Sequence, residues 1–428
     1  MIDCVVVGGG PAGLAASAAL TRRGVEHVIL ERGRVGQTWR TQRWDSFRLV
    51  SPGWKNTMLG ELSPEAYAPT VEVIERLEKL ATTCPIREGI RVTRLTPHLG
   101  GNVLDTDDGT VRARTVVVAS GHENVPRTPA LARAFPDRIA QHHAADYRNP
   151  TALPAGAVLV VGSAQTGCQI TAELLACGRQ VVMSTSAVGR VPTPYRGRDT
   201  VAWLYETGFF HQRPADLPDP AMMQARQPIL APGRGLSLQA LAHAGATLTG
   251  RLVGVDGHRV LFDDSARANV VTGDIFAARV AALIDEAIER SGRHAPPAQP
   301  DPAAQMRMDL DTRTVDMHEL GAVVWCTGFG GDFSWLDPAL VDHAGQPVHC
   351  GCAAAVPGVW YVGLRWLTHR GSATLDGFPT DAATVADAVR AQLNGSDRTL
   401  PTTRGSRTAE AGRIPGSGVP ISDQPLLT

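Results

Sequence analysis

Two stretches of the chain share one rhythm: an unbroken run of apolar, mostly β-branched residues, a turn of small residues, then a segment with helical spacing. The first is VVVGGGPAGL, Val5 to Leu14, and the second is VLVVGSAQTGCQI, Val158 to Ile170. Unbroken apolar runs of this length predict strands buried on both faces of a parallel sheet. After the first turn the spacing predicts a helix over Pro11 to Arg23 and a strand over His27 to Leu30, ending in Glu31. Apolar positions Val71, Ile74, Leu77 and Leu80 predict an amphipathic helix over 70–82. Period-two stretches at Gly89 to Leu95, Asn102 to Thr106 and Val111 to Val118 predict a meander with Asp108-Gly109 as its hairpin turn. The run Val116-Val117-Val118 closes on Ala119-Ser120-Gly121, and Val323-Val324-Trp325 closes on Cys326-Thr327-Gly328. These echoing turns mark where the chain leaves one nucleotide-binding half and returns to it.

The organisation expected is α/β, with two Rossmann-like three-layer dinucleotide-binding domains, one inserted into the other. Residues 1–150 and 321–393 form the outer domain and 151–320 the inserted one. The stretch Tyr195 to Ala246, with Trp203, Phe209 and Phe210, reads as a helical insertion: either a cover over a pocket or an interface with a second subunit in a homodimer. The Pro-rich stretch Ser291 to Ala303 reads as an exposed loop. Cys350-Gly351-Cys352 reads as a loop before a strand at Val359 to Val362. A last helix is expected from Asp381 to Leu393, capped by Thr380, and residues 394–428, rich in Gly, Pro, Ser and Thr, read as a flexible tail or an arm across a neighbour.

The turns carry the candidate chemistry. A helix that starts directly after a buried strand aims free backbone N–H groups and its positive dipole end at a phosphate. In the first loop Gly8 permits the sharp turn, Gly10 lets backbone approach phosphate oxygens, and Gly13 lets the helix lie close to the strand. Glu31 stands about 20 residues on, where a carboxylate accepts from a ribose 2′-hydroxyl. The second loop, Gly162-Ser163-Ala164-Gln165-Thr166-Gly167, has alanine at the middle position. Its following strand, Gln180 to Met183, ends in Ser184-Thr185-Ser186 without an acid, and Arg190, Arg196 and Arg198 follow. No carboxylate and several guanidinium groups favour a 2′-phosphate, hence NADPH over NADH. Two dinucleotides in one chain point to electron transfer between them: a flavin reduced by a nicotinamide.

Composition narrows the class. At 428 residues, 43% hydrophobic and 19% charged, the chain is long enough for two or three packed domains. A net charge of −1 gives no electrostatic footprint for nucleic acid or an anionic membrane. No apolar run approaches membrane-spanning length and the first strand follows Met1 at once, so a cytoplasmic protein is expected. The seven cysteines include no CxxC or CxxxxC pair, which argues against a dithiol reductase, and no side-chain nucleophile, paired-carboxylate or metal site stands out. Lys55 and Lys79 are the only lysines, so arginine carries nearly all positive charge.

The chain resembles the class B flavin-containing monooxygenases, and within them bacterial flavoproteins related to plant YUCCA enzymes. The likeness runs from Met1 to about Leu393. It rests on the paired loops, on Gly36-Gln37-Thr38-Trp39 matching the family's GGxW turn, on Cys326-Thr327-Gly328 matching its ATG turn, and on Gln141 to Tyr147 matching its linker. His143 and Tyr147 keep the linker spacing, whereas Phe135 stands two residues early and Asp137 lies near the glycine position. Tyr147-Arg148 replaces the Trp-Pro of Baeyer–Villiger members, and Val50 aligns with an asparagine that many relatives place near the flavin.

The resemblance implies FAD and NADPH as cofactors and a small organic substrate, such as an amine, amino acid or 2-oxo acid, oxygenated by dioxygen through a flavin 4a-hydroperoxide. It implies FAD contacts from Gly8, Gly10, Pro11, Ala12, Gly13, Glu31 and Arg32, and from Gly36, Gln37, Thr38, Trp39, Trp44, Ser51 and Val92. Further contacts are implied from Ala119, Ser120, Gly121, Thr327, Gly328, Gly363 and Leu375. NADPH contacts are implied from Gly162, Ser163, Ala164, Gln165, Thr166, Ser184, Thr185 and Arg190. Two other readings share the nucleotide motifs: an NADPH oxidase or reductase without oxygen insertion, and a non-catalytic redox-sensing flavoprotein.

Overall fold

The computed structural model describes residues 1–395 apart from 61, 64, 193, 226 and 231–235. Two parallel sheets dominate it. In the first, the strands Val359–Tyr361, Gly109–Val118, Ile2–Val7, His27–Glu31 and Ile86–Glu88 lie side by side and parallel. The hairpin Val92–His98/Gly101–Thr106 extends it antiparallel from Gly109–Val118. Helices Pro11–Arg22 and Phe378–Leu393 pack on each other over one face, burying Leu14, Ala16, Leu20, Ala382 and Val389. The helix Thr70–Ala81 buries Val73 and Leu77 but leaves Val71 exposed, because the buried stripe is narrower than its apolar spacing.

The second sheet holds Thr247–Thr249, Val181–Ser184, Ala157–Val161, Leu320–Trp325 and Ala140–His143, all parallel. Every residue of Ala157–Val161 and of Leu320–Trp325 is buried, as unbroken apolar runs require. The domain limits differ here from the expected ones. Ala140–His143, placed by sequence in the outer domain, is the edge strand of the second sheet, and Leu320–Trp325, read as the return strand, lies in its middle. The connections between the two sheets therefore fall at about residues 119–139 and 326–331. They pair with each other: Val125–Pro126 and Phe329–Gly330 form a two-stranded antiparallel ribbon. Sequence shows that the chain crosses twice, but not which side of each crossing a strand will join.

Other boundaries shift for local reasons. Gly89 takes a left-handed φ of 74°, so Ile86–Glu88 ends as a short parallel strand and the hairpin strand begins only at Val92. Leu238–His243, assigned to the insertion, is a core helix leading into Thr247–Thr249. Ala266–Ser291 is a long helix whose buried residues include Val270, Ala277, Val280, Ile284 and Ile288. Cys350 and Cys352 sit in a tight hairpin, His349–Cys350 against Ala353–Ala354, rather than a loop. The last helix begins at Phe378 behind Gly377, with Pro379 in the first turn, where its missing N–H costs nothing. Thr380 is therefore inside the first turn and caps nothing. Of the expected tail, residues 396–428 lie outside the described residues. Among the described residues no helix is long and apolar enough to cross a membrane.

Candidate active site

The two glycine loops are built alike at their first and last glycines. Gly8 (φ 111°) donates its N–H to the Leu30 carbonyl at 2.9 Å, and Gly162 (φ 110°) donates to the Ser184 carbonyl at 3.0 Å. A Cβ on Gly13 would stand 1.9 Å from the Gly8 carbonyl oxygen, and one on Gly167 would stand 1.9 Å from that of Gly162. Both glycines thus let a helix start directly against its strand. The echoing turns brace the loops: a Cβ on Gly8 would meet the Ala119 oxygen at 2.6 Å, and one on Gly162 the Cys326 oxygen at 2.4 Å. The loops differ at the middle position. A Cβ on Gly10 would meet nothing within 4 Å, whereas Ala164 already carries one.

Strand register superposes Glu31 on Thr185, because Val7 pairs with Leu30 and Val161 with Ser184. The Glu31 carboxylate is buried and accepts from the backbone N–H groups of Gly9 at 2.6 Å and Gly33 at 2.8 Å. These bonds fix its orientation and leave lone pairs for hydroxyl donors. The Thr185 hydroxyl instead donates to the Thr249 carbonyl and accepts from Asn269 at 2.9 Å, inside the second domain.

A cavity of about 700 Å³ runs from the first loop to the second, touching Gly10 and Pro11 at one helix start and Gln165 at the other. Several polar atoms on its wall are buried and have no hydrogen-bond partner: Ser120 Oγ, Asn124 Oδ1, Arg43 Nε and Gln165 Nε2. Buried polar atoms cost free energy unless they are paired, so this wall is shaped for a polar ligand. FAD and a nicotinamide dinucleotide fit it: an open helix start at Gly10, a fixed carboxylate at Glu31, and orphaned donors and acceptors between the domains.

The insertion covers this cavity. Helix Thr200–Glu206 and the turn Phe209–His211 contribute Val201 and Phe210 to its lining. Backbone bonds fasten them to the outer domain: Gly371 N–H donates to the Phe210 carbonyl at 3.0 Å and Arg370 N–H to the Gln212 carbonyl at 2.8 Å. Lys55 is 5% exposed, pairs with Asp376 at 2.9 Å, and sits over the rings of Phe210 and Tyr205 at 4.1 and 4.8 Å. Burial pushes the Lys55 ammonium below its ordinary pKa, and Asp376 counters this. Arg43 stacks on Trp39 and Phe47 at 5.0 and 5.3 Å. Glu123 is held below the usual carboxylate range, chiefly by its hydrogen bond to His122, and Arg365 and Arg43 add to this. Behind the lining, Asp381 is fully buried at the start of the last helix and accepts from the Thr368 hydroxyl. Burial raises its carboxyl to about 6.

A sequence pattern described as pyridine nucleotide-disulphide oxidoreductase matches residues 5–195. An uncharacterized CzcO-like oxidoreductase of Geobacillus kaustophilus is 26% identical over 89% of this chain and 96% of its own length. A rice (Oryza sativa subsp. japonica) protein named indole-3-pyruvate monooxygenase is 31% identical over 42% of this chain and 46% of its own. A double mutant of the flavin monooxygenase from Stenotrophomonas maltophilia shares the fold with a TM-score of 0.63. It is 22% identical and covers 92% of this chain and 99% of its own. The fold alone also accommodates a bacillithiol disulfide reductase of Staphylococcus aureus, at TM-score 0.59 and 11% identity over 91% of this chain and 98% of its own. No cysteine lines the cavity, and the described cysteines are unpaired, with Cys168 and Cys326 pushed to high pKa by burial. The chain is similar along most of its length to CzcO-like oxidoreductases, over part of it to a YUCCA monooxygenase, and it shares the fold of flavin monooxygenases.

The cavity gathers Gly8, Gly10, Pro11, Ala12, Glu31, Arg32, Gly36, Gln37, Thr38, Trp39, Ser51 and Val92. It also gathers Ala119, Ser120, Gly121, Gln165, Gly363 and Leu375 from the sequence-derived set. The remainder do not line it. Gly13 is packed beneath the Gly8 carbonyl. Trp44, 4% exposed, joins Tyr147 and Val158 in an interdomain core instead of facing a flavin. Ser163 Oγ bonds the Ser186 backbone, Ser184 Oγ donates to the Gly250 carbonyl, and Thr327 Oγ1 donates to the Arg127 carbonyl. The Gly328 carbonyl faces His143 Nε2 at 3.1 Å, and Gly162, Ala164 and Thr166 shape the second loop outside the cavity.

Arg190 is the clearest correction. Its guanidinium is 4% exposed and pairs with Asp274 at 2.9 Å and Asp301 at 2.6 Å, tying the long helix to the Pro-rich loop. Arg196 and Arg198 are likewise matched to Asp285 and Glu206. Counting arginines after a strand misled because their acidic partners lie 8 to more than 100 residues away. Sequence reasoning also passed over Arg43, Arg365, Arg370 and Asn56, whereas Asp376 lies in the stretch Ser372 to Phe378 that it expected beside the flavin. Asn56 stands near the flavin-side loop where Val50 replaces the family's asparagine, but its amide is spent on Ser51 and Pro52. Lys55 did leave a signal, as one of only two lysines in an arginine-rich chain.

Proposed function

We propose that this protein uses NADPH to reduce its FAD and then inserts one oxygen atom from dioxygen into a small organic molecule held under the insertion. The observation that carries this reading is one covered cavity meeting both helix starts, at Gly10 and Gln165. Bound FAD supplies hydride acceptance and oxygen activation, chemistry that side chains alone cannot perform.

The residues of the chain position and shield. Glu31 takes the adenosine ribose of FAD, and the N–H groups at the start of Pro11–Arg22 take its pyrophosphate. Gln165, at the start of the second helix, reaches into the cavity and orients the nicotinamide nucleotide. Phe210, Val201 and Leu230 supply an apolar roof that excludes water, on which oxygen transfer rather than peroxide loss depends. Lys55, held by Asp376 and two rings, places one positive charge at a fixed point on the cavity wall.

The test is a rapid-mixing experiment in which the NADPH-reduced protein meets dioxygen in ¹⁸O₂ buffer with candidate amines, amino acids and 2-oxo acids. A delayed return of the oxidised flavin spectrum and one ¹⁸O atom in the product are expected. Immediate reoxidation with stoichiometric peroxide and no labelled product for any compound would replace this reading with an NADPH oxidase.

A further inference from the structure

Charge around the cavity is unevenly matched. Its wall carries the cations Arg32, Arg43, Lys55, Arg91, Arg365 and Arg370, and the carboxylates Glu31, Glu123, Asp332 and Asp376. Glu31 is engaged by backbone N–H groups and Asp376 by Lys55. Asp332 faces Arg32 and Arg91, and Glu123 faces His122, Arg43 and Arg365. That leaves Arg370. Among the described residues no carboxylate pairs with its guanidinium, and the charge that acts on it is that of the like-charged Arg365. Burial, with Arg365 adding to it, lowers its pKa to about 10, so it keeps its charge at neutral pH without a counter-ion.

Its geometry is fixed. The guanidinium lies 4.1 Å from the Phe209 ring centre and 4.8 Å from that of Trp366, and Nε donates to Gln212 Oε1 at 3.0 Å. Stacking and one side-chain bond hold the plane while, among the described residues, no acceptor takes the terminal amino groups. That is the arrangement in which arginine recognises a planar oxyanion through two parallel bonds. We infer that the molecule oxygenated here is an organic carboxylate and that Arg370, backed by Arg365, is the specificity residue that fixes its carboxyl group under the insertion. This rests on the cavity being the oxygenation site. The anion could come from the substrate or from a phosphate of NADPH; the contacts of Arg370 with Phe209 and Gln212 of the insertion favour the substrate.

Calorimetric titration separates this from the reaction itself. FAD-loaded protein with NADP⁺ is titrated with matched acid and amide pairs: phenylpyruvate, phenylacetate and hexanoate against their amides. The wild type is expected to bind at least one acid about 10- to 100-fold more tightly than its amide, the scale of a charge-assisted bidentate pair. Arg370→Met should erase that preference and Arg370→Lys should restore part of it. Gln212→Ala, which removes the insertion contact but not the charge, should keep it. FAD content reports whether each variant folds; the wild-type comparison stands even if one does not. A wild type indifferent to the acid group overturns the inference, as does an Arg370→Met protein that keeps the preference or weakens NADP⁺ binding instead. Acid selectivity in a protein that only releases peroxide would sustain this inference while refuting oxygen insertion.

Discussion

Placing a carboxylate at position 10 separates what the first loop does for the fold from what it does for the flavin. Gly10 has φ −81°, ordinary for any residue, and a Cβ there meets nothing within 4 Å. It is the N-cap of Pro11–Arg22 and offers no side-chain cap of its own. Gly10→Asp therefore supplies a capping acceptor and a negative charge at the positive helix end, expected to stabilise the apoprotein by about 0.5 to 1 kcal/mol. The same carboxylate stands where the FAD pyrophosphate must lie. Two unit charges about 4 Å apart repel by about 4 kcal/mol at an effective dielectric near 20, which is about three orders of magnitude in affinity. Gly10→Ala adds bulk without charge, as Ala164 does in the second loop, and should keep its flavin. Flavin content and urea denaturation of the apoproteins measure the two effects. The reasoning fails if Gly10→Asp purifies with stoichiometric FAD, or if its apoprotein is less stable than the wild type.

Gly167→Ala puts a methyl group 1.9 Å from the Gly162 carbonyl oxygen, so it should cost at least about 1 to 3 kcal/mol and abolish reduction by NADPH, while the first sheet keeps its FAD; a yellow protein still reduced normally would contradict the assignment of the second loop. Arg190→Met leaves Asp274 and Asp301 without their cationic partner, although Gln239 still donates to Asp274 and the Ala303 N–H to Asp301. Both are a quarter to a third exposed, so the loss should be about 2 to 3 kcal/mol, below the about 3 to 5 of a wholly buried pair, with the KM for NADPH essentially unchanged. A large rise in that KM at unaltered stability would return Arg190 to the phosphate. Asp381 has a folded pKa of about 6, raised by burial above its unfolded value. The native state therefore holds a proton that the unfolded chain has lost across the interval from about 4 to 6, and stability should fall by about 3 kcal/mol as pH rises through it. Urea midpoints at pH 4.5 and 7.5 test this, and Asp381→Asn should flatten that part of the profile.

The parts of the fold legible in sequence are those set by short-range stereochemistry. A buried parallel strand must be apolar throughout, and a helix that begins against it must begin with small residues, so both loops and their strands could be read from Val5 to Gly13 and from Val158 to Gly167. The echoing turns at Ala119 and Cys326 were legible for the same reason: each braces its glycine loop within 2.6 Å of a would-be Cβ. What stayed hidden depends on partners distant in sequence. Arg190 reads as a phosphate ligand until Asp274 and Asp301 are folded onto it, and Trp44 reads as a flavin neighbour until Tyr147 and Val158 close around it. The strands Ala140–His143 and Leu320–Trp325 have no local feature that says which sheet they will join.

The repeated loop also shows how one backbone device is turned to two tasks by a single register position. Glu31 and Thr185 occupy equivalent places after equivalent strands. The first is a carboxylate clamped by Gly9 and Gly33, with lone pairs left over; the second is a hydroxyl consumed by Thr249 and Asn269. A site with a fixed acid adds a charge-assisted hydrogen bond to its ribose, which suits the tightly held flavin of the proposed reading. A site without one depends on contacts made across the cavity, and its only buried unpaired lining donor from the second loop is Gln165 Nε2, among the described residues. The nicotinamide nucleotide should therefore be the exchangeable partner, bound through groups from both domains and sensitive to how Phe210 and Gln212 fasten the insertion over residues 370–371. On the proposed reading, fixed flavin and exchangeable nicotinamide would follow from one fold because only one of its two loops is followed by an acid.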